Sequence, residues 1–123
     1  SDIKLNLRIE IPQKLRFNDA DICVILGNCL DNSIEAVCKL DDVSKREVNV
    51  DLVYRKKGLL IRISNPFSGD IKKDTNGNPV TTKADKENHG MGLCSVKNAV
   101  SKYNGAMNIS TDNSMFKVQI LLY

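Results

Sequence analysis

The feature that most constrains this chain is a long stretch with little to bury. From Pro66 to His89 the residues Pro, Gly, Asn, Asp, Lys and Thr dominate, with "NGNP" as a turn signal near the middle. A loop of some two dozen residues is uncommon inside a compact domain, and such loops tend to be functional lids or disordered segments. The core must therefore be assembled from the two flanking blocks. At 123 residues the chain is the size of one domain, 1–123, with a lid at about 66–89 and no internal repeat.

Both blocks show clear periodicities. "IKLNLRIEI" (3–11) alternates apolar and polar residues, the mark of a half-buried strand, and Pro12 ends it. Asn18 or Asp19 can cap a helix running to about Leu40. "EVNVDLVYR" and "LLIRIS" read as a hairpin, with Gly58 expected to supply the awkward backbone angle of the turn. After the lid, Leu93, Val96, Val100 and Tyr103 recur at helical spacing over about 92–103, and "NG" at 104–105 stops the helix. "AMNIS" and "MFKVQILLY" then close the chain as strands around "TDNS". Strand, helix, hairpin, lid, helix, hairpin predicts an α/β (α+β) two-layer sandwich, one mainly antiparallel sheet covered on one face by helices.

Composition narrows the function classes. Lys and Arg exceed Asp and Glu by 18 to 15, a net charge of +3, and the charges are scattered. That balance suits an anionic ligand. With 5% aromatic residues and no Trp, the interleaved aromatic and basic pattern of single-strand nucleic-acid binders is missing, and no nucleic-acid partner is expected. Cys23, Cys29, Cys38 and Cys94 form no CxxC pair and read as buried free thiols of a reducing compartment. His89 is the sole histidine, which disfavours zinc. No run of about 18 apolar residues occurs, so no membrane contact by this domain is expected. The opening on Ser1 suggests a domain cut from something longer.

The first chemical feature lies in "ILGNCLDNSIEAV". Asn28, Asn32 and Glu35 stand at i, i+4 and i+7, within an arc of about 60°, while Ile22, Leu26, Cys29, Ala36, Val37 and Leu40 take the opposite half. Such an arc is commonly just the solvated side of a helix. Asparagine, however, is a poor helix former, and two of them mid-helix cost roughly 1 kcal/mol together relative to better formers. An amide oxygen suits a hard cation, and amide N–H groups suit phosphate oxygens. Magnesium, usually held by one or two protein oxygens plus phosphates and waters, fits Asn32 as ligand, with Asn28 and Glu35 beside it.

The second feature joins "VTTK" (80–83) in the lid to "NHGMGL" (88–93). Gly90 and Gly92 permit close backbone approach, and the free N–H groups of the following helix favour an anion. Neither the GxGxxG spacing nor a Walker GK[ST] is present. Taken alone, the turn is equally a glycine-rich helix entry of structural use.

In this order and spacing, "NCLDNSIEA", "TTK" and "HGMGL" resemble the ATP-binding catalytic domain of sensor histidine kinases, a branch of the gyrase, chaperone, kinase and MutL (GHKL) superfamily with the Bergerat fold. The closest resemblance is to the AgrC/VirS-like quorum-sensing group, in which "DNSIEA", "HGxGL" and "KYNG" (here 102–105) are typical. The resemblance covers essentially the whole chain and implies ATP and magnesium as bound species, with Asn32 on the metal and Asn28 near the phosphates. It implies further that the backbone of Gly90, Met91, Gly92 and Leu93 wraps the triphosphate, and that Lys83, or Thr81 and Thr82, closes over it. Most members place an adenine-reading aspartate after the strand that ends here in "IRIS". This chain has "NPFSGD", so Asn65 or Asp70 takes that role. Glu35 replaces a lysine found in many kinases.

Gyrase-type hydrolases carry a glutamate base where Asn28 stands, and an amide cannot serve as that base. Asn28 therefore suits transfer of the γ-phosphoryl group better than hydrolysis. The resemblance places the acceptor histidine on a separate dimeric helical domain of the same kinase, with His89 a lid or phosphate-side residue. It also implies a homodimeric full-length protein, a downstream response regulator, and a cytoplasmic position in an integral-membrane sensor.

Overall fold

A computed structural model describes residues 2–56, 58–68 and 91–123, with Met91 described for its backbone. The elements are β1 (Lys4–Glu10), α1 (Asp19–Cys38), a 3-10 turn (Val43–Lys45), β2 (Glu47–Arg55), β3 (Gly58–Pro66), α2 (Met91–Ser101), β4 (Ala106–Asp112) and β5 (Met115–Leu122). The strands form one five-stranded sheet in the order β1-β2-β3-β5-β4. Only β1 and β2 run parallel; the other three pairs are antiparallel. The mixed, mainly antiparallel sheet covered on one face by helices is thus the observed architecture.

Alternation along the strands sorts the two faces. Val48 and Val50 of β2, Leu59, Ile61 and Ile63 of β3, and Val118, Ile120 and Leu122 of β5 are all buried, and they meet Ile25, Cys29 and Val37 of α1 and Val96, Ala99 and Val100 of α2. Each fully buried Ile, Leu or Val contributes about 1.5–3 kcal/mol relative to exposure. The opposite face carries polar pairs beside Val53, Leu60 and Leu121: Asn6 Nδ2 donates to Asn49 Oδ1 (2.8 Å), and Arg62 lies 3.8 Å from Asp51.

Several local readings change in three dimensions. Asn18 is the α1 cap: its side chain accepts from the Ala20 N–H at 2.8 Å, satisfying one of the free donors of the first turn. Gly58 sits within β3, and it is Lys56 that takes the left-handed angle of the β2–β3 turn (φ 51°). Likewise Asn104 (φ 52°) provides the left-handed residue after α2, while the Gly105 N–H bonds Val100 O (3.1 Å). Gly105 is required for a different reason, because a Cβ there would sit 2.5 Å from the Leu121 carbonyl oxygen. Asn113 and Ser114, both at positive φ, form the β4–β5 turn, the twist favoured by two-residue hairpins. Among the thiols, Cys29 alone is buried; Cys23, Cys38 and Cys94 are exposed, which corrects the expectation of four buried cysteines. Burial pushes the Cys29 thiol up to about 12.

Candidate functional site: the asparagine end of the helix pair

Two groups of contacts fix how α1 and α2 lie. At one end the Tyr103 hydroxyl accepts from the Asn18 backbone N–H (3.0 Å) and donates to Asp21 Oδ2 (2.5 Å), and Lys102 Nζ donates to Asp21 Oδ1 (2.9 Å). The Tyr103 ring also meets Phe17 edge-on, with centroids 5.1 Å apart. At the other end Asn28 meets Gly92, the second residue of α2. The start of one helix therefore faces the finish of the other, and the pair is antiparallel.

Asn28 uses its amide in two directions. Its Nδ2 donates to the Val24 carbonyl one turn back (2.8 Å), which turns Oδ1 toward α2. A Cβ on Gly92 would come within 2.9 Å of that oxygen. Gly92 is thus needed for an amide to lie against the helix entry, a requirement separate from phosphate approach. The two sequence motifs are in direct contact, with the asparagine oxygen at the N-terminal turn of α2. No acidic residue stands in that turn, so its free N–H groups keep their preference for an anion.

Arg46, just before β2, donates to the carbonyls of Cys38 and Leu40, so the C-terminal end of α1 lies at the start of β2. Antiparallel pairing brings the end of β3 to the same edge, Asn49 opposite Ser64. Asn32 and Glu35 on α1, and Asn65 near the end of β3, therefore extend toward the same end of the molecule as the Asn28–Gly92 contact. Glu35 is half-buried with Lys39 Nζ at 3.8 Å, a surface pair of small energetic value. Asn32 is half-buried.

Asn65 is 1% exposed, on the helix-facing side with Ile61 and Ile63. Its Nδ2 donates to the Pro66 carbonyl (2.9 Å), and because a carbonyl only accepts, this bond fixes which end of the amide is which. Oδ1 is buried with no hydrogen-bond partner among the described residues, a state that ordinarily costs about 1–3 kcal/mol. Arg62 Nε shares that condition, but on the polar face. Asp70, Thr81, Thr82, Lys83, His89 and Gly90 lie outside the described residues; Met91 and Leu93 lie in the first turn of α2.

The donor set bears on a metal. Among the described residues no three His, Cys, Asp or Glu gather as ligands, and the side-chain oxygen that meets the entry of α2 at Gly92 is that of a neutral amide. That set is too weak for an all-protein cage and fits a hard cation that brings phosphate and water ligands with it.

Sequence reading missed the Asp21–Lys102–Tyr103 cluster. Its members are separated by about 80 positions, and nothing local in either segment announces the pairing. Tyr103 and Lys102 hold the Asp21 carboxyl below its ordinary value, while Asp21 in turn raises both partners.

Comparison with known proteins identifies the family and the fold. Residues 17–123 match the family described as the GHKL domain, and the chain belongs to that family, whose ATPase domains bind nucleotide. No curated protein sequence matches it. Among solved structures, the Acinetobacter baumannii histidine kinase AdeS superposes with a TM-score of 0.65 at 13% identity, covering 98% of this chain and 54% of that one. A nucleotide-free catalytic domain of the histidine kinase ThkA gives 0.73 at 12% identity, over 98% and 78%. The mycobacterial sensor histidine kinase MprB gives 0.65 at 19% identity, over 98% and 81%. At these identities the likeness is one of fold. No helix among the described residues is long and apolar enough to cross a membrane.

Proposed function

We infer that this GHKL domain binds Mg-ATP between α1 and the entry of α2 and, in the intact protein, donates the γ-phosphoryl group to a histidine on a separate dimerisation domain. The observation that carries the reading is the packing of the Asn28 amide against Gly92, which joins the asparagine helix to an anion-favouring helix N-terminus.

Each residue has a role its chemistry supports. Asn32 supplies the amide oxygen to magnesium, which when bound neutralises phosphate charge. Asn28 braces the α2 entry, and the N–H groups around Gly90, Met91, Gly92 and Leu93 take the phosphate oxygens. Thr81, Thr82 and Lys83 close over the triphosphate, and His89 lies on the phosphate side. Glu35, already near Lys39, is a flanking residue rather than a phosphate contact. The buried Asn65 Oδ1 accepts from the adenine amino group, which favours it over Asp70. The Pro66 carbonyl keeps the Asn65 N–H₂ turned away, so the site presents an acceptor and disfavours the O6 of guanine. Neither Asn28 nor Asn32 can act as a base toward water, so catalysis rests on positioning and charge neutralisation. The AgrC/VirS-like group is the branch we favour, and in that setting the partners are the kinase's own helical domain, within a homodimeric membrane sensor, and a response regulator.

A second reading is favoured by one observation: with Asn65 in place of the usual aspartate, the domain could be a degenerate nucleotide-binding or scaffolding module. Calorimetric titration with ATP and magnesium separates the two. We expect binding by the parent domain and its loss in Asn32→Ala at unchanged melting temperature. A well-folded parent that fails to bind at millimolar nucleotide defeats the kinase reading, and an Asn32→Ala variant that binds normally defeats the metal assignment. Sustained ATP turnover by the isolated domain would overturn the argument from the missing base.

A further inference from the structure

The alternation in "IKLNLRIEI" promises a half-buried strand, and the structure does not deliver the burial. β1 lies at the edge of the sheet, with one row of backbone donors and acceptors unpaired by any other strand among the described residues. Its helix-side residues Leu5, Leu7 and Ile9 are 53%, 57% and 54% exposed, whereas Val48 and Val50 beside them on β2 are 1% and 4% exposed. The helices that cover β2 and β3 leave the β1 stripe open. Three adjacent side chains of this size expose a few hundred Å² of apolar surface, the scale that marks an interaction site.

Charged residues on an edge strand commonly serve only to block chance pairing, and Lys4, Arg8 and Pro12 could be read that way. They do not account for the uncovered leucines, and their order has a symmetry that simple blocking does not need. The segment is nearly palindromic about Leu7. Placed antiparallel to itself, it sets Leu7 opposite Leu7, Leu5 opposite Ile9, Ile3 opposite Ile11, Asn6 opposite Arg8, and Lys4 opposite Glu10. The apolar residues then fall on the helix side and the opposite charges on the polar side. Shifting by two residues in one direction puts Lys4 against Arg8; shifting in the other puts Arg8 against itself. Like charges directly opposite are destabilising, so the register centred on Leu7 is favoured over both of its two-residue neighbours.

We propose that β1 is a self-association edge, pairing antiparallel with β1 of a second copy of this chain about a two-fold axis at Leu7. The two sheets join as ten strands with both helix layers on one side, and the two apolar stripes meet across the junction. Glu10, 2.7 Å from Arg8 and 3.5 Å from Arg55 on its own chain, gains the Lys4 of the second copy. An interface made of one strand pair and a narrow stripe is of the small, transient class, and it strengthens wherever two copies are held close together. The proposal stands apart from the nucleotide reading and is tested without ATP.

Sedimentation analysis of the domain over a concentration series to about 1 mM reads the association directly. The parent should show a concentration-dependent dimer, and Leu7→Lys should be monomeric throughout with its melting temperature kept. Lys4→Glu should weaken the dimer about tenfold, since two like-charge oppositions arise by symmetry. Glu10→Lys should do the same, and the double variant Lys4→Glu/Glu10→Lys should return to within about threefold of the parent. A parent that is monomeric at every concentration overturns the proposal, as does a dimer that survives Leu7→Lys. Failure of the double variant to recover overturns the register.

Discussion

The two ends of the antiparallel helix pair are built on opposite terms. At the Tyr103 end both carboxylate oxygens of Asp21 are engaged, Tyr103 both donates and accepts, and two rings meet edge-on. At the asparagine end a buried amide oxygen on Asn65 has no partner among the described residues, and a glycine is needed where another amide leans on a helix entry. The first end holds the helices together. The second leaves the Asn65 amide oxygen without a partner among the described residues, and it is the end at which we propose that nucleotide binds.

Substitutions should therefore separate stability from binding according to the end they touch. The largest effect is expected from Asn65→Leu, which replaces the orphaned amide by an apolar side chain of the same branching. ATP affinity should fall about 100-fold or more, because a polar contact built for one hydrogen-bonding group is lost, while stability holds or rises. Calorimetry paired with thermal melting checks both; loss of stability with binding retained would remove Asn65 from the site. Next is Gly92→Ala, whose methyl group displaces the Asn28 amide. Nucleotide affinity should drop about tenfold with little change in melting, since alanine improves helix propensity by about 1 kcal/mol.

Asp21→Asn should behave in the reverse sense, lowering the melting temperature by a few degrees at neutral pH and leaving ATP affinity unchanged. Its pH dependence has a definite sign. Because Tyr103 and Lys102 hold the folded carboxyl below its ordinary 3.8, the unfolded chain takes up the proton first as the pH falls. This contribution is complete above about pH 5 and is lost as the pH drops through the folded value, so parent and variant should converge in acid melts. A gap between them that does not narrow as the pH falls would contradict the assignment. The smallest effect is expected from Gly27→Ala, one residue from Asn28. A Cβ there meets nothing within 4 Å, so the change should stabilise the domain by roughly 0.5–1 kcal/mol in denaturant melts, with binding untouched. Together the two glycine variants test whether tolerance to a methyl group follows packing or merely residue type.

Much of the fold could be read from local pattern. Period-2 alternation located the strands to within a residue or two, Asn18 announced the start of α1, and helical spacing announced α2. Turn chemistry was read less well at the β2–β3 turn, where Gly58 suggested a left-handed position that Lys56 in fact occupies; the "NG" stop after α2 held, with Asn104 taking the left-handed angle. Glycine marks permission for such an angle, whereas the strands and helix ends on either side decide which residue must adopt it. The cysteines failed for a related reason, since apolar neighbours in sequence are spread around a helix and only Cys29 points inward.

The sequence by itself determined the order of elements and the residue types of the candidate site, because periodicity, capping and the chemistry of an amide are local properties. Only the tertiary structure decided that Asn28 lies against Gly92, that Asp21 meets Tyr103 and Lys102, and that, among the described residues, Asn65 Oδ1 has no partner and β1 no cover. Those facts depend on which helix lies over which strand, and that is set by packing the whole core at once.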